Sequence, residues 1–128
     1  MKLLIDTHVL LWWLNDDPKL PTQADVLISD SKNEVFVSAI SLWEIAIKST
    51  LGKLDADVNE IRETVFQNGM KPLPFTLEHA VAVAAIPLEA HRDPFDRALI
   101  AQAQYEPLHL LTHDRAMAAY GEHILLVE

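Results

Sequence analysis

Acidic residues stand at four separate places where a short apolar run meets a predicted helix. They are Asp6, Glu44, the pair Asp93 and Asp96, and Asp114. Carboxylates gathered within about 4 Å repel each other by several kcal/mol at an effective dielectric near 20, so such a cluster requires cations or protons. Because the chain has no cysteine, the ligands would be oxygen atoms, which suit Mg²⁺ or Mn²⁺.

Most of these acids also fit an ordinary structural role at a helix start. Asp6 and Asp114 each follow a predicted strand and could cap the next helix. Asp93 precedes Pro94, a residue typical of the first helical position, and Asp96 then falls in the first turn, where the helix dipole favours an anion. Taken singly, each acid fits a cap better than it fits catalysis.

Glu44 has two competing explanations of its own. Ser41 and Glu44 have the spacing of a capping box, in which the glutamate would reach back to the Ser41 amide. Lys48 lies four residues further on and could pair with Glu44 on the helix surface.

The hydrophobic pattern alternates between short strands and longer helices. Strands are predicted at 3–5, 34–38, 71–75, 108–111 and 124–127. Helices are predicted at 9–14, 21–29, 41–51, 57–67, 76–86, 94–105 and 114–120. Because two prolines lie within 71–75, that strand is expected to be short and near an edge or a strand end.

This order of elements predicts a single α/β domain over residues 1–128. Strands joined through helices form a mostly parallel sheet that is covered on both faces, with more helix than strand. The carboxyl ends of parallel strands collect functional residues along one rim. The acids at strand ends and helix starts are therefore expected to converge there.

Composition limits the functional classes without deciding between them. The 10 Lys and Arg against 19 Asp and Glu give a net charge of −9, which disfavours nucleic-acid binding unless bound cations reverse the local field. An acidic chain would also suit a basic protein partner. Neither a signal peptide nor a membrane span is predicted, so we expect a soluble cytoplasmic protein.

Four segments together carry a resemblance to a known family. They are LIDTH at 4–8, SAISLWE at 38–44, HRDPFDR at 91–97 running into IAQA at 100–103, and LTHD at 111–114. Their order and spacing resemble the PIN domain, and in particular the VapC-type toxins of bacterial toxin–antitoxin pairs. The resemblance spans essentially the whole chain.

The resemblance implies a three-layer α/β/α sandwich and RNA cleavage that depends on one or two Mg²⁺ or Mn²⁺ ions. By motif position, Asp6, Glu44, Asp96 and Asp114 match the family's four acids. Asp6 and Asp96 would hold the principal ion, and Glu44 and Asp114 would hold a second ion or orient the attacking water. Asp93 could contribute to metal binding or only cap its helix.

Further residues around the acids are candidates for supporting roles. Hydroxyls beside the acids could orient carboxylates or water, or could satisfy strand-end backbone groups. Arginines near the acids could bind RNA phosphates, although Arg97 could equally pair with a neighbouring acid. These candidates are Thr7, Thr112, Arg92, Arg97 and Arg115. His8, His91 and His113 also lie near the acids, but a surface position beside a helix cap is the commoner case, so they are not among the catalytic candidates.

The tryptophans bear on partners. Trp12 and Trp13 point about 100° apart on one helix, so one is expected in the core and the other in a partner groove. Trp43 is expected in the core. The resemblance further implies a VapB-type antitoxin partner and a homodimer.

Three other functions remain open or are weakened by the sequence. A non-cleaving PIN-like module within a DNA-binding toxin–antitoxin complex is one alternative, and another small metal phosphohydrolase is the second. A phosphatase of the latter kind usually has an Asp-x-Asp motif, which Asp6-Thr7-His8 does not provide. A serine hydrolase is disfavoured because no Gly-x-Ser-x-Gly turn surrounds Ser38 or Ser41.

Overall fold

The structure, a computed structural model, describes residues 1–87 and 92–128. The strands are β1 (Lys2–Ile5), β2 (Glu34–Ser38), β3 (Lys71–Leu73), β4 (His109–Thr112) and β5 (Ile124–Leu126). The helices are α1 (Thr7–Leu14), α2 (Thr22–Ser29), α3 (Ala39–Thr50), α4 (Val58–Gln67), α5 (Leu77–Val83) and α6 (Pro94–Tyr105), with a 3₁₀ helix at Arg115–Tyr120.

The five strands form one parallel sheet in the order β3-β2-β1-β4-β5. The apolar run of β1 lies at its centre, with Leu3, Leu4 and Ile5 fully buried. A parallel arrangement is the expected result when every strand returns through a crossover connection. The prediction of a mostly parallel sheet is confirmed.

The sheet is covered by helices on both faces. Leu3 and Ile5 pack with apolar residues of α1, α2, α3 and α4, whereas Leu4 packs with α6 and the 3₁₀ helix. Successive side chains of a strand point to opposite faces, so a strand between two helical layers is apolar throughout. The three-layer α/β/α architecture is thereby confirmed.

Two helices begin two residues earlier than predicted. The side chain of Asp6 accepts a hydrogen bond from the Val9 amide and caps α1, which starts at Thr7. Ser38 accepts one from the Ile40 amide and caps α3, which starts at Ala39. In both cases the cap is the residue at the strand end, so the chain passes from strand to helix without a loop.

The proline-containing strand β3 lies at one edge of the sheet, as predicted. An edge position tolerates Pro72 because the missing amide hydrogen is not needed on the open side of the strand. Within the part of the chain that the structure describes, no helix is both long and apolar enough for a membrane span.

Candidate active site at the carboxyl edge of the sheet

Asp6 is a buried acid at the carboxyl end of the central strand. Only 3% of its surface is exposed, one carboxylate oxygen accepts from the Val9 amide at 2.8 Å, and the other accepts from the Thr112 hydroxyl at 2.6 Å. Burial raises the pKa of Asp6 from 3.8 to about 6, although the Thr112 and Val9 hydrogen bonds and His8 oppose this, while the charge of Asp96 adds to it.

Thr112 connects Asp6 to the end of the neighbouring strand β4. Its hydroxyl donates to Asp6 and accepts from the Asp114 amide at 3.0 Å. Asp114 itself is exposed and caps the 3₁₀ helix by accepting from the Ala116 amide. The predicted cap role of Asp114 is therefore confirmed, and Thr112 both orients an acid and satisfies a backbone group.

Glu44 lies in α3 and is buried, but it is not part of a capping box. That prediction was wrong because Ser38, not Ser41, is the N-cap of α3. Ser41 is instead buried inside the helix and accepts a hydrogen bond from the Thr7 hydroxyl at 3.0 Å. Glu44 therefore lies beyond the first turn of α3, where its carboxylate is not needed to cap a backbone amide.

The predicted pair of Glu44 with Lys48 is confirmed. The Lys48 ammonium donates to Oε2 of Glu44 at 2.6 Å. This hydrogen bond, assisted by the charges of Asp93 and Asp96, raises the pKa of Lys48 above its usual value. The other glutamate oxygen, Oε1, is buried and has no hydrogen-bond partner among the described residues.

Asp93 and Asp96 occupy the positions predicted for them at the start of α6. Asp93 is the N-cap and accepts from the amides of Phe95 and Asp96, and Pro94 takes the first helical position. Electrostatic interactions connect Asp96 with both Asp6 and Lys48, and connect Asp93 with Lys48. The structure therefore brings Asp6, Glu44, Asp93 and Asp96 to one rim, with Asp114 joined to Asp6 through Thr112.

The described acids lie along one rim, but their side chains are not grouped closely enough to coordinate one metal ion together. In residues 1–87 and 92–128, no three Asp, Glu or His side chains form a group that could hold a metal ion as they stand. The donor chemistry nevertheless fits Mg²⁺ or Mn²⁺, because all the donors are oxygens and the buried Oε1 of Glu44 lacks a partner. The assignment of Asp6, Glu44, Asp93, Asp96 and Asp114 as ligands remains a prediction.

One of the three candidate phosphate-binding arginines has a structural role. The Arg97 side chain is buried and donates to the carbonyls of Val83, Ile86 and Pro87. Backbone carbonyls engage the guanidinium, and the contact of Arg97 with RNA stays a prediction.

The remaining cationic candidates are on the surface. Arg115 is exposed and forms a two-pronged ion pair with Glu128, at 2.8 and 3.0 Å. Arg92 is exposed. His8 and His113 are exposed on either side of Trp12, whose ring centroid lies 6.0 and 5.6 Å from theirs. His91 lies outside the described residues.

The tryptophans follow the sequence predictions only in part. Trp13 packs against the core on the α1–α4 face of the sheet, as one of the adjacent pair was expected to do. Trp43 was expected in the core, but 57% of it is exposed and its ring lies edge-on to Phe95 at 5.1 Å. The prediction was wrong because Glu44, the next residue of α3, lies on the buried face of the helix, and Trp43 lies on the exposed side.

A buried polar network behind the site was missed by the sequence analysis. Gln102 accepts from the Ser38 hydroxyl at 2.6 Å and donates to Nδ1 of His79 at 3.2 Å. Since Nδ1 of His79 also accepts from the Thr76 amide, Nε2 carries the ring proton and donates to Glu106 at 2.7 Å. The signal available was one glutamine within the otherwise apolar stretch at 98–103 of α6.

The fold agrees with what comparison with known proteins finds. Residues 3–122 match the PIN domain family, so the chain belongs to that family. The resemblance seen in the four sequence segments is thereby confirmed.

Individual relatives are similar over nearly their whole length. Ribonuclease VapC22 of Mycobacterium tuberculosis is 27% identical over 124 residues, which cover 92% of this chain and 91% of that protein. A crystal structure of VapBC2 from Rickettsia felis bound to a promoter DNA fragment has a TM-score of 0.68 at 15% identity and covers 98% of this chain and 97% of that one. A toxin–antitoxin complex from Klebsiella pneumoniae has a TM-score of 0.68 at 17% identity, with 96% and 95% covered.

Proposed function

We propose that this protein is a metal-dependent ribonuclease of the VapC type, which hydrolyses RNA phosphodiester bonds. The observation that carries the proposal is that Asp96, at the carboxyl edge of the sheet, interacts electrostatically with buried Asp6 and with Lys48, the ion-pair partner of buried Glu44. Buried carboxylates of like charge are unfavourable without a cation, so their proximity in a PIN-family chain supports a cation site.

The acids divide into two groups in the proposed reaction. A bound Mg²⁺ or Mn²⁺ ion would lower the pKa of the attacking water and neutralise charge on the phosphate. Asp6 and Asp96 would hold the principal ion, with Thr112 fixing the orientation of the Asp6 carboxylate. Glu44 and Asp114 would hold a second ion or orient the water, and Asp93 could add a further ligand.

The proposed partners are an antitoxin and a second copy of the chain. Relatives of this fold are named as VapBC or toxin–antitoxin complexes, which supports a VapB-type antitoxin here. The homodimer is supported by α5, where Leu77 and Val81 are 83% and 74% exposed. Exposed arginines near the acids, Arg92 and Arg115, are proposed to contact RNA phosphates.

The experiment is cleavage of total RNA by purified, partner-free protein in Mg²⁺, in Mn²⁺ and in EDTA. Asp6→Asn is the test variant, and Asp57→Asn is its matched control, because Asp57 also caps a helix but is exposed on α4. We expect metal-dependent fragments from the wild type and the control only. Fragments that persist in EDTA or in Asp6→Asn would refute the assignment, and their absence from every folded sample would favour the non-cleaving binding role.

A further inference from the structure

Lys48 places a positive charge beside the acids that are proposed to bind a divalent ion. Its ammonium lies 2.6 Å from Oε2 of Glu44 and within the electrostatic reach of Asp93 and Asp96. The glutamate side chain is only 4% exposed, whereas the lysine side chain is 40% exposed. The ion pair therefore joins the buried carboxylate of Glu44 to the partly solvent-exposed side chain of Lys48.

The hydrogen bonding of Glu44 shows that Lys48 satisfies this acid only in part. Oε1 of Glu44 is buried and lacks a hydrogen-bond partner among the described residues. Burying a carboxylate is costly unless both of its oxygens have hydrogen-bond or metal partners. The oxygen of Glu44 that lacks a partner can therefore still accept a ligand. A divalent ion could use that oxygen and could engage the neighbouring carboxylates, which a single ammonium does not do.

We propose that Lys48 is the resident cation of the carboxylate site, holding Glu44 while no divalent ion is bound and leaving it when an ion binds. This inference rests on the proposed function, since it takes the acids to be the ion's ligands. A doubly charged ion beside Glu44 would repel the ammonium, and the flexible lysine stem allows the charge to move into solvent. Lys48 remains protonated throughout.

The exchange has two measurable consequences. Without Lys48, a divalent ion would no longer have to displace a charge-assisted hydrogen bond, so it should bind more tightly. In the absence of divalent ions, the same change would leave Glu44 buried without a counter-charge, so the protein should be less stable. A purely structural salt bridge would lower stability without increasing affinity for the ion.

The test is titration of Mn²⁺ into metal-free protein by isothermal calorimetry, with urea unfolding in EDTA alongside. Lys48→Met removes the charge, Lys48→Gln removes the charge but keeps a donor for Glu44, and Lys48→Arg keeps both. The matched control is Lys71→Met, which makes the same change in net charge at a distant pair with Glu34, where the ammonium lies 2.7 Å from the carboxylate.

We expect Mn²⁺ to bind Lys48→Met and Lys48→Gln about tenfold more tightly than the wild type, and Lys48→Arg and Lys71→Met within about twofold of it. In EDTA, the folding equilibrium constant of Lys48→Met should fall about tenfold, and that of Lys71→Met should fall much less. Unchanged or weaker Mn²⁺ binding by both uncharged variants would overturn the role of Lys48 while leaving the ribonuclease proposal standing. No Mn²⁺ binding by any of the proteins would overturn both.

Discussion

Replacing Asp6 with asparagine should stabilise the metal-free protein at neutral pH, although it removes a central acid of the site. Burial raises the pKa of Asp6 from 3.8 to about 6. Between these values the folded protein binds a proton that the unfolded chain has released, so its stability falls as the pH rises through this window. At about 1.4 kcal/mol per pH unit, the full loss above pH 6 is about 3 kcal/mol.

Asparagine removes this penalty but does not keep every contact. Its side-chain oxygen can still accept from the Val9 amide and cap α1. The Thr112 hydroxyl, however, loses the carboxylate oxygen to which it donates at 2.6 Å, which costs about 1–2 kcal/mol. The expected net gain for Asp6→Asn is therefore about 1–2 kcal/mol at about pH 7.5. By about pH 4.5, most of the electrostatic advantage is gone and the gain disappears.

Urea unfolding in EDTA, followed by circular dichroism at about pH 7.5 and about pH 4.5, measures both quantities. The control is Asp57→Asn, at the exposed N-cap of α4. The stability of this variant should stay within about 0.5 kcal/mol of the wild type at both pH values, because Asn and Asp cap helices almost equally well. If Asp6→Asn were no more stable than the wild type at neutral pH, burial of the Asp6 carboxylate would carry no such penalty. A gain of equal size at both pH values would lead to the same conclusion.

Three further substitutions test individual contacts. Thr112→Val removes a hydrogen bond that lowers the pKa of Asp6. In an NMR titration, the carboxyl resonance of Asp6 should therefore show a pKa above 6 by about one unit. An unchanged pKa would show that the Thr112 hydrogen bond does not hold the carboxylate. Arg97→Met should lower the free energy of unfolding by about 3 kcal/mol, since three hydrogen bonds from the guanidinium are lost and the Ile86 carbonyl loses its charged donor; a neutral result in urea would show that the contacts are unimportant. Gln102→Leu should lower the free energy of unfolding by about 2–3 kcal/mol, because the Ser38 hydroxyl loses its acceptor. An unchanged melting temperature would show that the hydrogen bonds of Gln102 do not stabilise the fold.

Much of the fold and the placement of the acids could be predicted from local sequence signals. Apolar strands that end at Asp6 and Ser38 require partners on both faces, and each polar residue at a strand end marks the start of a helix. Asp93 followed by Pro94 defined the start of α6 correctly. These signals are strong because a cap and its helix are neighbours in the chain, so no tertiary information is required.

The errors arose where tertiary packing decides between two locally acceptable arrangements. Ser38 and Ser41 are both good N-caps, and only the end of β2 shows that the helix starts after the first. For Arg97 the sequence offered RNA phosphate or a neighbouring acid as partner, whereas the segment after α5 supplies carbonyl acceptors to its guanidinium. Trp43 is exposed against Phe95 because its helix directs Glu44 inward.

If these acids form a cation site that cleaves RNA, metal binding and cleavage should go together when both are measured in the same sample. Bound Mn²⁺, followed by electron paramagnetic resonance, should rise with the rate of RNA cleavage over the same range of Mn²⁺ concentration. Both should be lost in Asp96→Asn and retained in Asp57→Asn. Cleavage that continues in Asp96→Asn after Mn²⁺ binding is lost, or that proceeds without bound Mn²⁺, would contradict the account.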